Sequence, residues 1–351
     1  MHYSRTGERT PRSPVLRWYA GLTMKDFYVA DAPRFDAQTV TGFFILSQIC
    51  LRDTKNGGKY LALTLSDKTG ALEARMWEEF LEPFESCKES CYVKVQGQIS
   101  RYQERWQITI KKMKSASDLE LDPTDFQKAT DYPGGVDAMD RELRTIVAAF
   151  EDQNLKRLVL SFLDDPLIGP LFRTAPAAQR LHHAWIGGLI EHVLALSKVC
   201  LAAAPFYPLV NRDLLVTGAI LHDMGKVREL VWKSSFGYAL EGQLLGHITI
   251  VQRMLAEKMI ELAPFPEKLR LLVEHMIVSH HGRLEFGSPK LPMTPEAILL
   301  SALDDLEAKF AALNREFDAA EAAGKGPSDT TDWVRSMDRP LFNSQRWMSE
   351  Q

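Results

Sequence analysis

Leu221-His222-Asp223-Met224-Gly225-Lys226 is the stretch on which the reading of this chain turns. Leu214, Leu215, Val216, Ala219, Ile220 and Leu221 form an apolar helical run that carries the His-Asp pair toward a core. A carboxylate there is costly to bury unless its charge is satisfied, and a divalent cation would satisfy it. Taken alone, the dipeptide fits a structural pair as well as a metal site. Working outward, His192 lies among Leu189, Ile190, Val193 and Leu194. His247 follows Leu245-Gly246, His280-His281 precede Gly282, and Asp304 sits in Leu303-Asp-Asp-Leu-Glu-Ala308. Each falls in or beside a helical segment, so residues far apart in sequence can converge inside a bundle as ligands for two metal ions.

Helical periodicity runs almost throughout residues 140–324. Leu143, Ile146, Val147 and Phe150 recur at the spacing of one apolar helix face. Asn211 is a candidate cap before Leu214–Leu221, Gly282 follows a helix over Leu269–His281, and Thr294-Pro295-Glu296 opens a helix through Asp304.

Upstream the pattern changes to short apolar runs separated by turn formers. Strands are expected at Val40–Leu46, Tyr60–Leu65, Leu72–Trp77, Tyr92–Ile99 and Trp106–Ile110, with a short helix near Glu78–Phe84. Five strands with a helix between the third and fourth match an OB-fold, a five-stranded Greek-key barrel, here over residues 24–115. If Leu61, Leu63 and Leu65 point inward, Tyr60 points out; if Ala74 and Met76 point inward, Arg75 and Trp77 point out. Tyr60, Arg75 and Trp77 then share the face that such barrels use for oligonucleotides, and Tyr102 joins from the loop between the fourth and fifth strands. Exposed aromatics on sheets also serve protein contacts. Trp106 shares parity with Ile108 and Ile110 and reads as core. Within 37–115 there are twelve Lys or Arg against nine Asp or Glu, a small positive excess.

The fold class is therefore multidomain, an N-terminal β-barrel followed by an all-α bundle, which a length of 351 residues accommodates. Residues 1–23 carry arginines and prolines without periodicity and read as an unstructured leader, with Met24 a candidate initiation site. Residues 116–139 are rich in turn formers and read as a linker, and 325–351 as a polar tail. A net charge of −4 argues against a protein that coats duplex DNA. Cys50, Cys87, Cys91 and Cys200 lack zinc-site spacing and read as reduced thiols. Neither a membrane span nor a secretory signal is indicated, so no membrane partner and a cytoplasmic location are expected.

The ordered set His192, His222-Asp223, His247, His280-His281 and Asp304 resembles the HD-domain metal-dependent phosphohydrolases. The match extends further: His182-His183-Ala-x-x-Gly187-Gly188-Leu-x-x-His192, Asn211-Arg-Asp-Leu-Leu215 and Leu245-Gly-His-Ile248 look like the YhaM-type 3′-to-5′ exoribonucleases, which also join an OB-fold to an HD domain. The resemblance covers residues 24–312. It implies that His192, His222, Asp223 and Asp304 hold one metal, and that Asp223, bridging, with His247 and His280 holds a second. Asp304 takes this role ahead of Asp305 because it occupies the family's position in the acidic stretch, with Asp305 the alternative. His281 points about 100° away from His280 on a helix and is expected to meet phosphate or support the ligands. Lys226 either offers a point charge to a phosphate oxygen or is a solvated helix-end lysine. His182 and His183 either line the cleft or act structurally; His275 and His2 carry no assigned role.

Two such cations would activate a hydroxide and steady the attacking and departing oxygens. Histidine-rich ligation suits manganese or iron better than magnesium, and the resemblance favours manganese. The activity implied is a metal-dependent 3′-to-5′ exoribonuclease on single-stranded RNA, with single-stranded DNA unranked against it. Homo-oligomerisation is also an inference from the resemblance, since no heptad forces it. Two alternatives stand beside this reading. One keeps the metals and hydrolyses small nucleotides; the other is a non-catalytic single-strand-binding protein.

Overall fold

The computed structural model describes residues 25–54, 57–116, 121–178, 183–232, 236–322, 329–334 and 337–349. The leader 1–23, Met24, His2 and His182 lie outside the described residues. The chain divides into two compact units, one through Lys128 and the other from Ala129.

In the first unit, β1 (Thr39–Asp53), β2 (Lys59–Asp67), β3 (Gly70–Met76), the short helix α1 (Leu81–Ser86), β4 (Tyr92–Tyr102) and β5 (Arg105–Ser115) follow in order. They close into a barrel, β1-β2-β3-β5-β4, whose β3–β5 contact is parallel. Closure depends on the length of β1. Its first half pairs with β4 and its second half with β2, the switch coming beside a bulge between Leu46 and Gln48 that bends the strand. Alternation then sorts the side chains: Leu61, Leu63, Leu65, Leu72, Ala74 and Met76 are buried together with Phe44, Val93, Val95 and Ile108. Trp106 departs from expectation. It sits one pair from the β4–β5 hairpin turn and is only partly buried, with the Arg101 guanidinium 5.9 Å from its ring centroid.

The stretch 116–139 is not the open linker its composition suggested. Leu121 and Phe126 are buried with Phe43 and Ile45 on the barrel, and Gly135 already opens a helix of the second unit. Its apolar anchors are too widely spaced to register as a period. All four cysteines are free.

The second unit contains α2 (Gly135–Ala148), α3 (Gln153–Leu163), α4 (Ile168–Thr174), α5 (Gly188–Ala203), α6 (Arg212–Leu221), α7 (Lys226–Glu229), the two-residue strands β6 (Leu230–Val231) and β7 (Gly237–Tyr238), α8 (Leu240–Glu261), α9 (Glu267–Ser279) and α10 (Pro295–Ala322). The Asn211 side chain accepts the Leu214 N–H at 2.9 Å, and Thr294 Oγ1 accepts from Ala297 N at 3.2 Å, so both helices begin on side-chain caps. The segment Gly188–Phe206 is long and apolar enough to cross a membrane by composition, yet half of that window is buried within the unit. The helix packs against α2, α4, α6 and α10, and a helix surrounded on several sides is apolar on several sides. Part of the region read as a polar tail is structured: Thr330 bridges Phe342, Val334 bridges Arg339, and α11 (Ser344–Ser349) follows.

Candidate active site and binding face

Five helices of the second unit deliver the histidines and aspartates to one place. His192 projects from the middle of α5, while His222 caps the C-terminus of α6 with Asp223 just beyond. His280 caps α9, and Asp304 lies a few turns into α10. His247 is placed by a break: Gly246 has φ 71° and ψ 156°, so α8 is interrupted immediately before it, a conformation strained for any residue with a side chain. Gly225 secures the other side, because a Cβ there would lie 2.1 Å from the His247 carbonyl oxygen.

Asp223 sits between two groups of imidazoles. Its Oδ2 is 3.3 Å from His222 Nε2 and 3.7 Å from His192 Nε2. Asp304 Oδ1 closes that side, 3.3 Å from His192 Nε2 and 3.7 Å from His222 Nε2. The other oxygen, Oδ1, faces His247 Nε2 at 3.4 Å and His280 Nε2 at 3.9 Å. Donor atoms of His192, His222 and Asp304, of His222, Asp223 and His280, and of His247, His280 and His281 each converge closely enough to hold one ion.

The outward nitrogens show why the Nε2 atoms are aimed inward. His222 Nδ1 donates to Ala219 O at 3.0 Å and His280 Nδ1 to Ile277 O at 2.7 Å. His192 Nδ1 lies 2.5 Å from Glu307 Oε2, and His247 Nδ1 lies 3.2 Å from Glu229 Oε1. Fixing Nδ1 on a carbonyl or carboxylate, leaving Nε2 free, is how metal-binding histidines are oriented. Among the described residues, Nε2 of His247 and of His280 is buried with no hydrogen-bond partner, a cost that a coordinated cation removes. This donor set fits divalent metal binding.

Electrostatics point the same way. Burial works against the Asp223 charge, but Lys226 and His222 outweigh it and hold the carboxyl well below the ordinary range. Asp304 is lowered too, its burial outweighed by His222 and His192. Burial pushes His280 well below the usual imidazole value, leaving it in the neutral form a metal requires. His192 is the exception: burial opposes its charge, yet Asp304 and Glu307 raise it to about 10.

On the barrel, the Tyr60 and Trp77 rings stack with centroids 4.5 Å apart and planes 22° from parallel. Arg75, whose Cα partners on either side are Ala62 and Thr109, holds its guanidinium 5.1 Å from the Tyr102 ring centroid. Trp77 and Tyr102 are exposed. The structure thus gathers the four residues into two adjoining pairs, an aromatic stack and a cation over an aromatic ring.

The chain matches the HD domain family over residues 189–309 and the OB-fold nucleic acid binding domain over 45–116. The 3′-5′ exoribonuclease YhaM of Geobacillus sp. strain WCH70 is 32% identical over 313 residues, spanning 88% of this chain and 94% of that protein. This chain belongs to the YhaM family of 3′-5′ exoribonucleases. The Bacillus subtilis strain 168 YhaM is 33% identical over 294 residues, 82% of this chain and 90% of its own. The Listeria innocua relative is 34% identical over 278 residues, 78% and 86% respectively.

Several residues of this YhaM-family chain take places that their sequence context left open. Lys226 Nζ is 2.6 Å from Asp223 Oδ2 and largely buried, so it is not a solvated helix-end lysine. His281 bonds through Nδ1 to Phe286 O at 2.8 Å and stands beside the His247 and His280 rings. Asp305 turns outward to Lys309, whereas Asp304 turns inward. His183 is buried and meets Glu307 Oε1 at 2.9 Å, and His275 accepts the Met293 N–H at 2.9 Å.

Sequence reasoning missed the carboxylates that orient the histidines. Glu307 serves His192 and His183 together, burial being outweighed by those bonds to hold it at about 2. Its signal was its position three residues after Asp304, on the same helix face. Glu229 receives both the backbone N–H and the ring of His247. Glu191 lies 3.7 Å from His183 Nδ1 and also accepts from Trp185 Nε1 at 2.8 Å. No spacing rule points to either of these.

Proposed function

We propose that the chain degrades single-stranded RNA from its 3′ end, the metal centre of the helical unit performing hydrolysis and the barrel holding the strand. The observation that carries this reading is the division of Asp223 between two histidine groups, one oxygen to each. His192, His222, Asp223 and Asp304 are suited to one divalent ion, and Asp223, His247 and His280 to a second, with His281 adjacent. Imidazole-rich donors favour manganese, with iron the next candidate, over magnesium. When bound, such ions supply Lewis-acid activation of water and offset charge on the phosphate.

The protein's own groups have separate tasks. Asp223 joins the two donor groups, and its pairing with Lys226 fixes both side chains at the centre. In this reading Lys226 also offers positive charge to a non-bridging phosphate oxygen, and His281 presents its remaining nitrogen to the same group. Tyr60, Trp77 and Tyr102 offer ring faces to bases, a contact indifferent to sequence, and Arg75 adds charge. RNA as substrate is supported by the activity for which the relatives are named.

The deciding experiment incubates purified protein and manganese with 5′-labelled RNA and DNA oligomers. Progressive shortening of the RNA from its 3′ end is expected. Intact RNA beside hydrolysis of a small phosphodiester would instead support a small-nucleotide phosphohydrolase.

A further inference from the structure

The outer face of β4 and β5 bears a charge arrangement that neither the metal centre nor the aromatic pairs use. Lys94 of β4 and Lys114 of β5 are directly opposed across the ladder, and Gln96 is opposed to Lys112 two residues along. Like charges at directly opposed positions destabilise a sheet. Lys94, Lys111, Lys112 and Lys114 have no ion-pair partner among the described residues; Lys94 instead lies 5.2 Å from the Phe43 ring centroid.

The backbone is shaped to put these charges outside. A register shift sets Gly97 against Ile110 but Gln96 against Lys112, leaving Lys111 as an extra residue in β5. In a regular strand Lys111 and Lys112 would alternate, and one of them would enter the barrel. The bulge lets both stand outside while Ile110 and Met113 stay buried. Together with Thr41 and Gln96, the four lysines line a cavity of about 600 Å³. Glu79 and Glu82, on the α1 side, are the acids of its lining, so positive charge prevails.

β5 links the cavity to the aromatic face. Thr109, the cross-strand partner of Arg75, precedes Lys112 by three residues of the same strand, about 10 Å at the usual rise. A strand of the length that one OB-fold accommodates spans both. We propose that this groove holds the phosphate backbone of the RNA whose bases lie on Tyr60 and Trp77. A polyanion there relieves the repulsion between Lys94 and Lys114 and releases its own counterions. The proposal rests on the ribonuclease reading and adds to it a second contact surface with a different chemistry.

The test measures binding of a hydrolysis-resistant phosphorothioate RNA to the manganese-loaded full chain across a salt series. Replacing Lys94, Lys112 and Lys114 together by Gln should weaken binding and lower the slope of log Kd against log salt by about 2, given about 0.7 per phosphate contact on single strands. Hydrolysis of bis(p-nitrophenyl) phosphate should be unchanged, and the corresponding Arg triple should keep the original slope. A Gln triple with the original slope overturns the proposal. So does an Arg triple that loses binding, which would mark the lysines as structural. If the Gln triple loses binding to phosphatidylglycerol vesicles and not to RNA, the groove serves lipid and the proposal fails. If the unaltered chain cleaves the small diester but binds no RNA, the ribonuclease reading itself fails, and this inference with it.

Discussion

Nδ1 of His192 and Oε2 of Glu307 lie 2.5 Å apart, and the same carboxylate reaches His183 through its other oxygen at 2.9 Å. Glu307 therefore sets the ring orientation of a proposed ligand from its Nδ1 side. Glu307→Ala should weaken metal affinity about 10- to 100-fold, the usual cost of losing such a partner. Titration of the metal-depleted protein with manganese checks this, and an unchanged affinity would remove Glu307 from that role.

Asp223→Ala should abolish hydrolysis and deplete bound metal, because it withdraws the carboxylate from both donor groups. Single-stranded RNA should still bind, since the aromatic pairs lie on the barrel. Metal analysis, a hydrolysis assay and a binding isotherm on one preparation separate these outcomes; retained activity would refute the assigned centre.

The general plan was legible because each of its parts writes a period into the chain. Leu61, Leu63 and Leu65 alternate as a strand must, and Leu143, Ile146, Val147 and Phe150 recur as a helix face must. The inward histidines were readable because polar residues interrupt otherwise apolar helices. Glu307, Glu229 and Glu191 were not, since an acidic residue on a helix is common and only the fold reveals which histidine it faces. Leu121 and Phe126 were hidden for a related reason: isolated apolar residues among turn formers look the same whether they anchor a segment or not. The bulge at Lys111 is likewise set by pairing with β4, which no local pattern encodes.

Metal uptake should release protons. Asp304 and Glu307 raise His192 to about 10, against its burial, so at neutral pH the metal-free chain carries a proton there. A cation coordinated at Nε2 must displace it, so apparent affinity should rise with pH until that value is approached. Calorimetry in buffers of differing ionisation enthalpy measures the release; heats independent of buffer would count against His192 as a ligand.

Trp77→Ala should weaken RNA binding by about 1–3 kcal/mol, the range for one stacking platform. Fluorescence anisotropy on a labelled oligonucleotide reads the change, and identical dissociation constants would leave Trp77 as packing for Tyr60 alone.

Asp67→Ala should destabilise the barrel by about 3–5 kcal/mol, as expected when one member of a buried ion pair is removed. Asp67 Oδ2 is 3.0 Å from Lys25 Nζ, and both side chains are fully buried. Burial already lowers Lys25, and without the carboxylate its ammonium has lost its main compensation. Thermal unfolding followed by circular dichroism would show the loss, and a melting temperature equal to that of the parent would contradict it.

Because β1 to β5 join end to end in a ring, most strand edges of the barrel are already paired among the described residues. Recognition by adding an extra strand is thereby disfavoured, and the outer face of the ring meets a nucleic acid chiefly with side chains. Ring faces and ammonium groups respond to what all nucleotides have in common. A handle built this way suits an enzyme that must accept whatever letter comes next.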